Sequence, residues 1–213
     1  MEQSPTVFVV DDDPAVLESV AFLLKSNGHA VECFPTAQAF LAAYSPVCPG
    51  CLLLDIRMPG MGGLELQEHL AAKRIDIPII IMTGHGDVPM AVHAIKGGAL
   101  DFIEKPFKDK VLLDRIHEAF ELDRVGREKK AERQTIVAAV STLTPRELEI
   151  MQLLMAGSMK NKEIAERLSI SRKTLDVHRG RILTKMQCRS LVELARKMRR
   201  ASDGLDRVTL ASS

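Results

Sequence analysis

The sequence predicts two units of different class: a doubly wound α/β domain over about residues 1–122 and an all-helical domain over about 141–202. Three observations carry this prediction. Short β-branched or apolar runs alternate with amphipathic helical stretches up to residue 122. From Thr144 onward the periodicity is helical throughout. The charge also changes sign. Acidic clusters such as Asp11-Asp12-Asp13 lie in the first part, and 159–200 is dense in Lys and Arg.

Thr6 to Val10 is a β-branched run that stops at acids and Pro14. Ala15 to Asn27 is spaced as a helix with Val16, Val20, Leu23 and Leu24 on one face, closed by Gly28. Ala30 to Phe34 reads as a strand, and Thr36 caps a helix to about Tyr44. Cys51 to Leu54 is continuously apolar, as a strand buried on both faces must be, and it runs into Asp55. Met58 to Gly63 is a loop by its Pro and Gly content. Leu64 to Ala72 is a helix, Ile77 to Met82 a strand, Val88 to Lys96 a helix, Ala99 to Ile103 a strand and Asp109 to Leu122 a helix. Five strands alternating with five helices predict a parallel sheet whose functional residues gather at the carboxyl ends of the strands. That rule selects Asp11, Asp12, Asp55, Thr83 and Lys105.

Residues 123–140 are charged, then apolar, and are expected to extend the last helix as a helical linker. Thr144-Pro145-Arg146-Glu147 opens the second unit with a cap, Pro at the first helical position and Glu three on from the cap. A helix to Ala156 follows, with Leu148, Met151, Leu154 and Met155 as its stripe. Asn161 to Leu168 is a short helix, Ser169 to Ser171 a tight connector, Arg172 to Met186 a longer basic helix and Ser190 to Arg200 a fourth. A short helix, a brief turn and a longer basic helix match a helix-turn-helix. The plain alternative is a small bundle with a solvated basic face. Residues 203–213 are expected to form a disordered tail.

Composition narrows the function classes. The chain has 213 residues, enough for two small domains, and 46% hydrophobic residues, enough for a core. Neither a signal peptide nor an apolar run of membrane-spanning length is present, so a cytoplasmic location without membrane attachment is expected. Trp is absent and Tyr44 is the only Tyr, which argues against aromatic stacking on RNA bases. Of the four cysteines, Cys48 and Cys51 have CxxC spacing. A zinc site needs two further ligands and no second pair exists, so two incidental thiols before a buried strand are the preferred reading.

Asp11 and Asp12 after the first strand and Asp55 after the third form an acidic site if the strands are neighbours. Three carboxylates repel unless a cation joins them, and oxygen ligands suit Mg²⁺. A carboxylate there can accept a phosphoryl group. Lys105 supplies a charge for a phosphate oxygen and Thr83 a hydroxyl donor. Singly, each has a plainer reading: Asp11 to Pro14 as a turn and cap, Asp55 as a solvated strand end, and Lys105-Pro106 as a turn.

Val9 to Pro14, Leu53 to Gly60, Met82 to Asp87 and Asp101 to Phe107 resemble the signature segments of response-regulator receiver domains over residues 5–122. The resemblance implies a flavodoxin-like strand order 2-1-3-4-5. It implies Asp55 as phosphoacceptor, with Thr83 and Lys105 contacting the phosphoryl group. It also implies Asp11, Asp12, Asp55 and the Arg57 carbonyl as Mg²⁺ ligands, and Phe102 as a switch aromatic. Gly84 to Ala91 is similar to the FixJ subgroup, and His85 would be the bulky neighbour of Thr83. Leu143 to Ile150, Asn161 to Ala165 and Ser169 to His178 resemble the LuxR-type domain of the FixJ/NarL family over 141–202, an all-α four-helix helix-turn-helix. That resemblance makes Arg172 to Met186 the recognition helix. Asp176, Val177 and Gly180 would face base edges, while Lys162, Arg172, Lys173, Thr174, Arg179 and Lys185 would contact phosphates. Some relatives carry Lys where Asp176 and Gly180 stand, so their target sequence does not transfer. Leu175, Ile182 and Leu183 are assigned to the core.

The expected function is therefore that of a two-component response regulator. A sensor histidine kinase phosphorylates Asp55, a homodimer forms, double-stranded DNA is bound and transcription by RNA polymerase is regulated. An enzyme that hydrolyses phosphoesters through a phospho-aspartate is the competing class. It needs a second acid two residues past the nucleophile, and Arg57 occupies that position, so no enzyme activity is expected. A degenerate receiver on a constitutive DNA binder is disfavoured by the full acidic set.

Overall fold

The computed structural model describes residues 4–84, 88–157 and 159–202. His85 and the expected tail, 203–213, lie outside them. The chain divides into two units between Arg127 and Glu128.

In the first unit, strands β1 (Thr6–Val10), β2 (Ala30–Phe34), β3 (Gly50–Asp55), β4 (Ile79–Thr83) and β5 (Asp101–Glu104) form a parallel sheet in the order β2-β1-β3-β4-β5. Helices α1 (Pro14–Ser26), α2 (Ala37–Ala43), α3 (Gly63–Ala72), α4 (Val88–Lys96) and α5 (Asp109–Ser141) make the crossovers or follow the last strand. Alternation along the strands produces two cores, one on each face. Phe8, Val10, Leu52, Leu54 and Ile81 pack with Phe40, Leu66 and Leu70. Val7, Val9, Leu53, Ile80 and Met82 pack with Val20, Leu24, Leu112 and Ile116. Every residue of β3 is buried, as its continuous apolar run requires. Each fully buried Leu or Ile contributes about 1.5–3 kcal/mol.

Local chemistry sets the element ends. Asp13 Oδ1 accepts from Ala15 N–H at 2.9 Å and caps α1, and Thr36 Oγ1 accepts from Ala39 N–H at 3.1 Å and caps α2. β4 begins at Ile79 rather than Ile77, because Pro78 has no N–H to give the ladder; its carbonyl still accepts from Leu52 N–H at 2.9 Å. Gly50 is required at the start of β3. Its φ is 153° and a Cβ there would come 1.9 Å from the Thr6 carbonyl oxygen.

The first unit's packing reaches past residue 122. Asp123 is buried and accepts from Gly50 N–H at 2.9 Å and from Arg127 Nε at 2.7 Å. Arg127 also donates to the carbonyls of Pro46, Val47 and Cys48. α5 continues to Ser141 without interruption, and Ile136 is buried in the second unit's core. The 123–140 segment is thus helical, but its two ends belong to the two cores.

The second unit adds α6 (Pro145–Ala156), α7 (Asn161–Arg167), α8 (Arg172–Lys185) and α9 (Leu191–Ser202). Thr144 and Glu147 form the expected capping box, with Thr144 N–H donating to Glu147 Oε2 at 2.9 Å. Gly157 ends α6 with φ 66°. Ile150, outside the stripe read from sequence, is fully buried beside Met151, while Leu148, Leu154 and Met155 are partly buried. Ser169 turns the chain with φ 54°, and Ser171 Oγ accepts from Thr174 N–H at 3.0 Å to cap α8. Leu175 and Ile182 are buried and Leu183 packs against them, as the sequence indicates.

Candidate functional site

The strand order brings the ends of β1 and β3 side by side, with β4 and β5 following. Asp11, just past β1, is 1% exposed, and Asp55, the last residue of β3, is 8% exposed. Lys105 reaches between them from the end of β5. Its Nζ lies 2.6 Å from Asp11 Oδ2 and 2.5 Å from Asp55 Oδ1. The second Asp55 oxygen accepts from Arg57 N–H at 2.7 Å, and Asp11 Oδ1 accepts from Asp13 N–H at 2.9 Å. Gly63 lets α3 start against this corner, since a Cβ would come 2.2 Å from the Asp55 carbonyl oxygen.

Burial raises the Asp55 pKa, against the opposing pull of Lys105. Burial alone would lower Lys105, but its hydrogen bonds to Asp11 and Asp55 outweigh that and raise it. The ammonium is thereby kept charged between two carboxylates. Thr83 is buried next door. Its backbone carbonyl accepts from Lys105 N–H at 2.8 Å, and its hydroxyl donates to the neighbouring Gly84 carbonyl at 3.2 Å. Phe102, on β5, is half-buried against the first core.

Asp11, Asp55, Lys105 and Thr83 are thus brought together. Asp12 is exposed, and among the described residues no three acidic, His or Cys side chains are grouped as metal ligands. Even so, Asp11 and Asp55 present hard oxygens that already hold one cation between them. Those hard oxygens are a donor type that fits Mg²⁺.

One feature escaped the sequence reading. An apolar groove of about 660 Å³ runs from α1 to the start of α5, lined by Val16, Val20, Phe22, Leu23, Lys105 and Phe107. Phe22 is 74% exposed. Its helical phase, off the stripe that carries Val20 and Leu24, was the available signal. The CxxC pair is resolved into two separate side chains. Cys51 is buried with the Val7–Leu53 face, Cys48 packs on the opposite one, and all four cysteines are free. Burial raises the Cys51 thiol far above its ordinary value, so it is not a reactive thiolate.

In the second unit Lys162, Arg172, Lys173, Thr174, Asp176, Val177 and Gly180 are exposed, and Arg179 is half-buried. Lys162 also lies 3.7 Å from Glu166, one turn along α7. Lys185 is half-buried, and its Nζ donates to Glu147 Oε2 at 2.7 Å and to the Thr142 carbonyl at 2.9 Å, which ties α8 to α6.

Comparison with known proteins covers both units. The model of the response regulator receiver domain matches residues 7–117, and that of the bacterial regulatory proteins of the luxR family matches 141–198. The chain is 46% identical over 195 residues to the transcriptional regulatory protein FixJ of Bradyrhizobium diazoefficiens, spanning 92% of this chain and 95% of that one. The response regulator StyR superposes with a TM-score of 0.83 at 44% identity, over 92% of this chain and 99% of that one. Full-length FixJ from B. japonicum superposes with a TM-score of 0.57 at 43% identity, over 95% and 99%.

Proposed function

This chain belongs to the response regulators that join a receiver domain to a LuxR-type DNA-binding domain, and from that premise we propose that phosphorylation of Asp55 by a sensor histidine kinase controls its dimerisation and its sequence-specific binding to double-stranded DNA. One observation carries the proposal: the Lys105 ammonium lies between the Asp11 and Asp55 carboxylates at the carboxyl end of the sheet.

In the transfer step an Asp55 oxygen attacks the phosphorus of the kinase's phosphohistidine. The P–N bond breaks, and the imidazole leaves with the electron pair and takes up a proton. Asp11, Asp12, Asp55 and the Arg57 carbonyl would hold Mg²⁺, which supplies positive charge against the phosphate oxygens. Lys105 exchanges its carboxylate partner on Asp55 for a phosphoryl oxygen. The Thr83 hydroxyl turns from the Gly84 carbonyl to another phosphoryl oxygen, and Phe102 fills the space Thr83 leaves. The groove beside Phe22 supports docking of the kinase, because Lys105 is part of its wall.

Exposed Val92, Ile95 and Val111 support a homodimer through α4, β5 and α5. The exposed residues of α7 and α8, namely Lys162, Arg172, Lys173 and Thr174, would take phosphates together with Arg179, and Asp176, Val177 and Gly180 would face base edges. Residues from the end of the first core to the start of the second act as the helical link. No described helix is long and apolar enough to cross a membrane. The protein acts in the cytoplasm, with RNA polymerase as a further partner, and as a regulator rather than an enzyme.

The test is labelling with a small phosphodonor and Mg²⁺, comparing wild type with Asp55→Ala, and reading dimerisation and DNA binding. Label on wild type alone, with a shift to dimer and tighter DNA binding, is expected. Label that does not depend on Asp55 would sink the proposal, and so would DNA affinity unchanged by labelling.

A further inference from the structure

One face of α8 is outward along its length. Leu175 and Ile182 are buried on the inner side. Lys173, Thr174, Val177, Gly180, Arg181 and Thr184 are exposed, and at about 3.6 residues per turn they fall on one arc. Val177, at its centre, is 49% exposed and bears only methyl groups.

Gly180 has no reason to be glycine inside the protein. Glycine in mid-helix costs stability relative to alanine. A Cβ at Gly180 would meet nothing within 4 Å, and its φ is not positive. Neither packing nor backbone geometry calls for the missing side chain. One turn further on, the Thr184 hydroxyl donates to the Gly180 carbonyl at 3.0 Å, so this polar group is turned back onto the helix. The result is a shallow notch with Val177 on one side, bare backbone as its floor and no hydrogen-bonding side chain at either position. A small apolar group fits it. In the major groove the group of that kind is the 5-methyl of thymine.

We propose that Gly180 is a specificity-determining residue that, with Val177, seats a thymine 5-methyl group against the backbone of α8. The inference rests on the reading of the second unit as a DNA-binding domain. It assigns Gly180 a role through close approach, which no longer side chain could replace.

The test uses the full-length chain treated with acetyl phosphate and Mg²⁺. A binding site is enriched from randomised duplexes, and each of its thymines is replaced singly by deoxyuridine, which removes only the methyl. At one thymine the replacement should weaken wild-type binding about tenfold. Gly180→Ala should weaken binding to the unmodified site by a similar factor and no longer distinguish thymine from uracil at that position. It should also raise the melting temperature, because alanine favours the helix and the space is open. An enriched site insensitive to every uracil replacement overturns the inference, as does Gly180→Ala binding as tightly as wild type. In those cases DNA binding itself stands. Failure to bind any duplex would overturn the DNA reading and the inference with it.

Discussion

Lys105 Nζ lies 2.5 Å from Asp55 Oδ1 and 2.6 Å from Asp11 Oδ2, so one ammonium serves two carboxylates that burial would otherwise disfavour. Asp55 pays for this position: burial raises its pKa above 3.8. A carboxyl whose folded pKa is raised costs stability once pH rises through that pKa. Asp55→Asn is therefore expected to raise the melting temperature at neutral pH while abolishing the label. Lys105→Met should do the reverse, lowering stability at neutral pH by about 3 kcal/mol, because two buried carboxylates then face each other without their cation. Part of that loss should return at mildly acid pH as Asp55 protonates. Melting curves of the three proteins against pH decide it; a Lys105→Met variant as stable as wild type at pH 7 refutes the pairing argument.

Thr83 separates phosphorylation from its consequence. Among the described residues its hydroxyl donates to the Gly84 carbonyl at 3.2 Å, and its backbone carbonyl holds Lys105 N–H regardless of side chain. Thr83→Ala should accept label at Asp55 in wild-type amount and fail to dimerise in response. Its stability should change by less than about 1 kcal/mol, since one weak hydroxyl contact is lost. Sedimentation of the labelled variant is the measurement, and normal dimerisation would remove Thr83 from the switch.

Phe22 tests the route by which the phosphoryl group arrives. It is 74% exposed beside a groove that Lys105 helps to line. Phe22→Glu should slow transfer from the cognate kinase at least about tenfold, as loss of an aromatic anchor does. Labelling by a small phosphodonor, which needs no groove, should be unaffected. Equal slowing of both would mean that the substitution disturbs the acidic site itself.

Much of this was legible in the sequence for a physical reason. Strand ends in a parallel sheet must place Asp11, Asp55, Thr83 and Lys105 on one rim, and period-2 alternation with the apolar Cys51–Leu54 run of β3 fixes which sheet that is. Caps at Asp13, Thr36, Thr144 and Ser171 are local and could be read directly. What could not be read depended on distant partners. The ion pair of Lys185 with Glu147, 2.7 Å away, joins residues 38 apart in sequence and leaves no local pattern. Arg127 looks like one more charge in a charged run, yet it donates to three carbonyls of the loop before β3.

That loop yields a further prediction. Asp123 bridges Gly50 N–H and Arg127 Nε, and Arg127 holds Pro46, Val47 and Cys48. Arg127→Met keeps the apolar stem and removes the guanidinium, leaving a buried carboxylate without its ion pair. The first unit should lose about 2 kcal/mol, near the value for hydrogen bonds to a charged group. Hydrogen exchange at the Pro46–Gly50 loop should accelerate with labelling at Asp55 unchanged. Protection equal to wild type would show that the loop does not depend on Arg127.

The second unit has its own acid-sensitive joint. Glu147 is buried, accepts from Lys185 Nζ at 2.7 Å and from Thr144 N–H at 2.9 Å, and its pKa falls from the ordinary 4.5 to about 2. The Lys185 hydrogen bond is the largest cause, followed by the Thr144 N–H. A depressed carboxylate contributes stability that is present above its unfolded pKa and is lost as pH falls through the folded value. The second unit should therefore hold its full stability above pH 4.5 and lose this contribution between there and about pH 2. Glu147→Gln keeps the side-chain shape but cannot carry the charge. It should cost about 2 kcal/mol at pH 7, from the lost charge-assisted bond and a weaker cap. The difference from wild type should shrink towards zero as the wild-type carboxylate protonates. Thermal unfolding of both proteins across that range, followed by a signal from the second unit, makes the comparison, and a difference that stays constant down to pH 2 would show that the ion pair does not supply the stability.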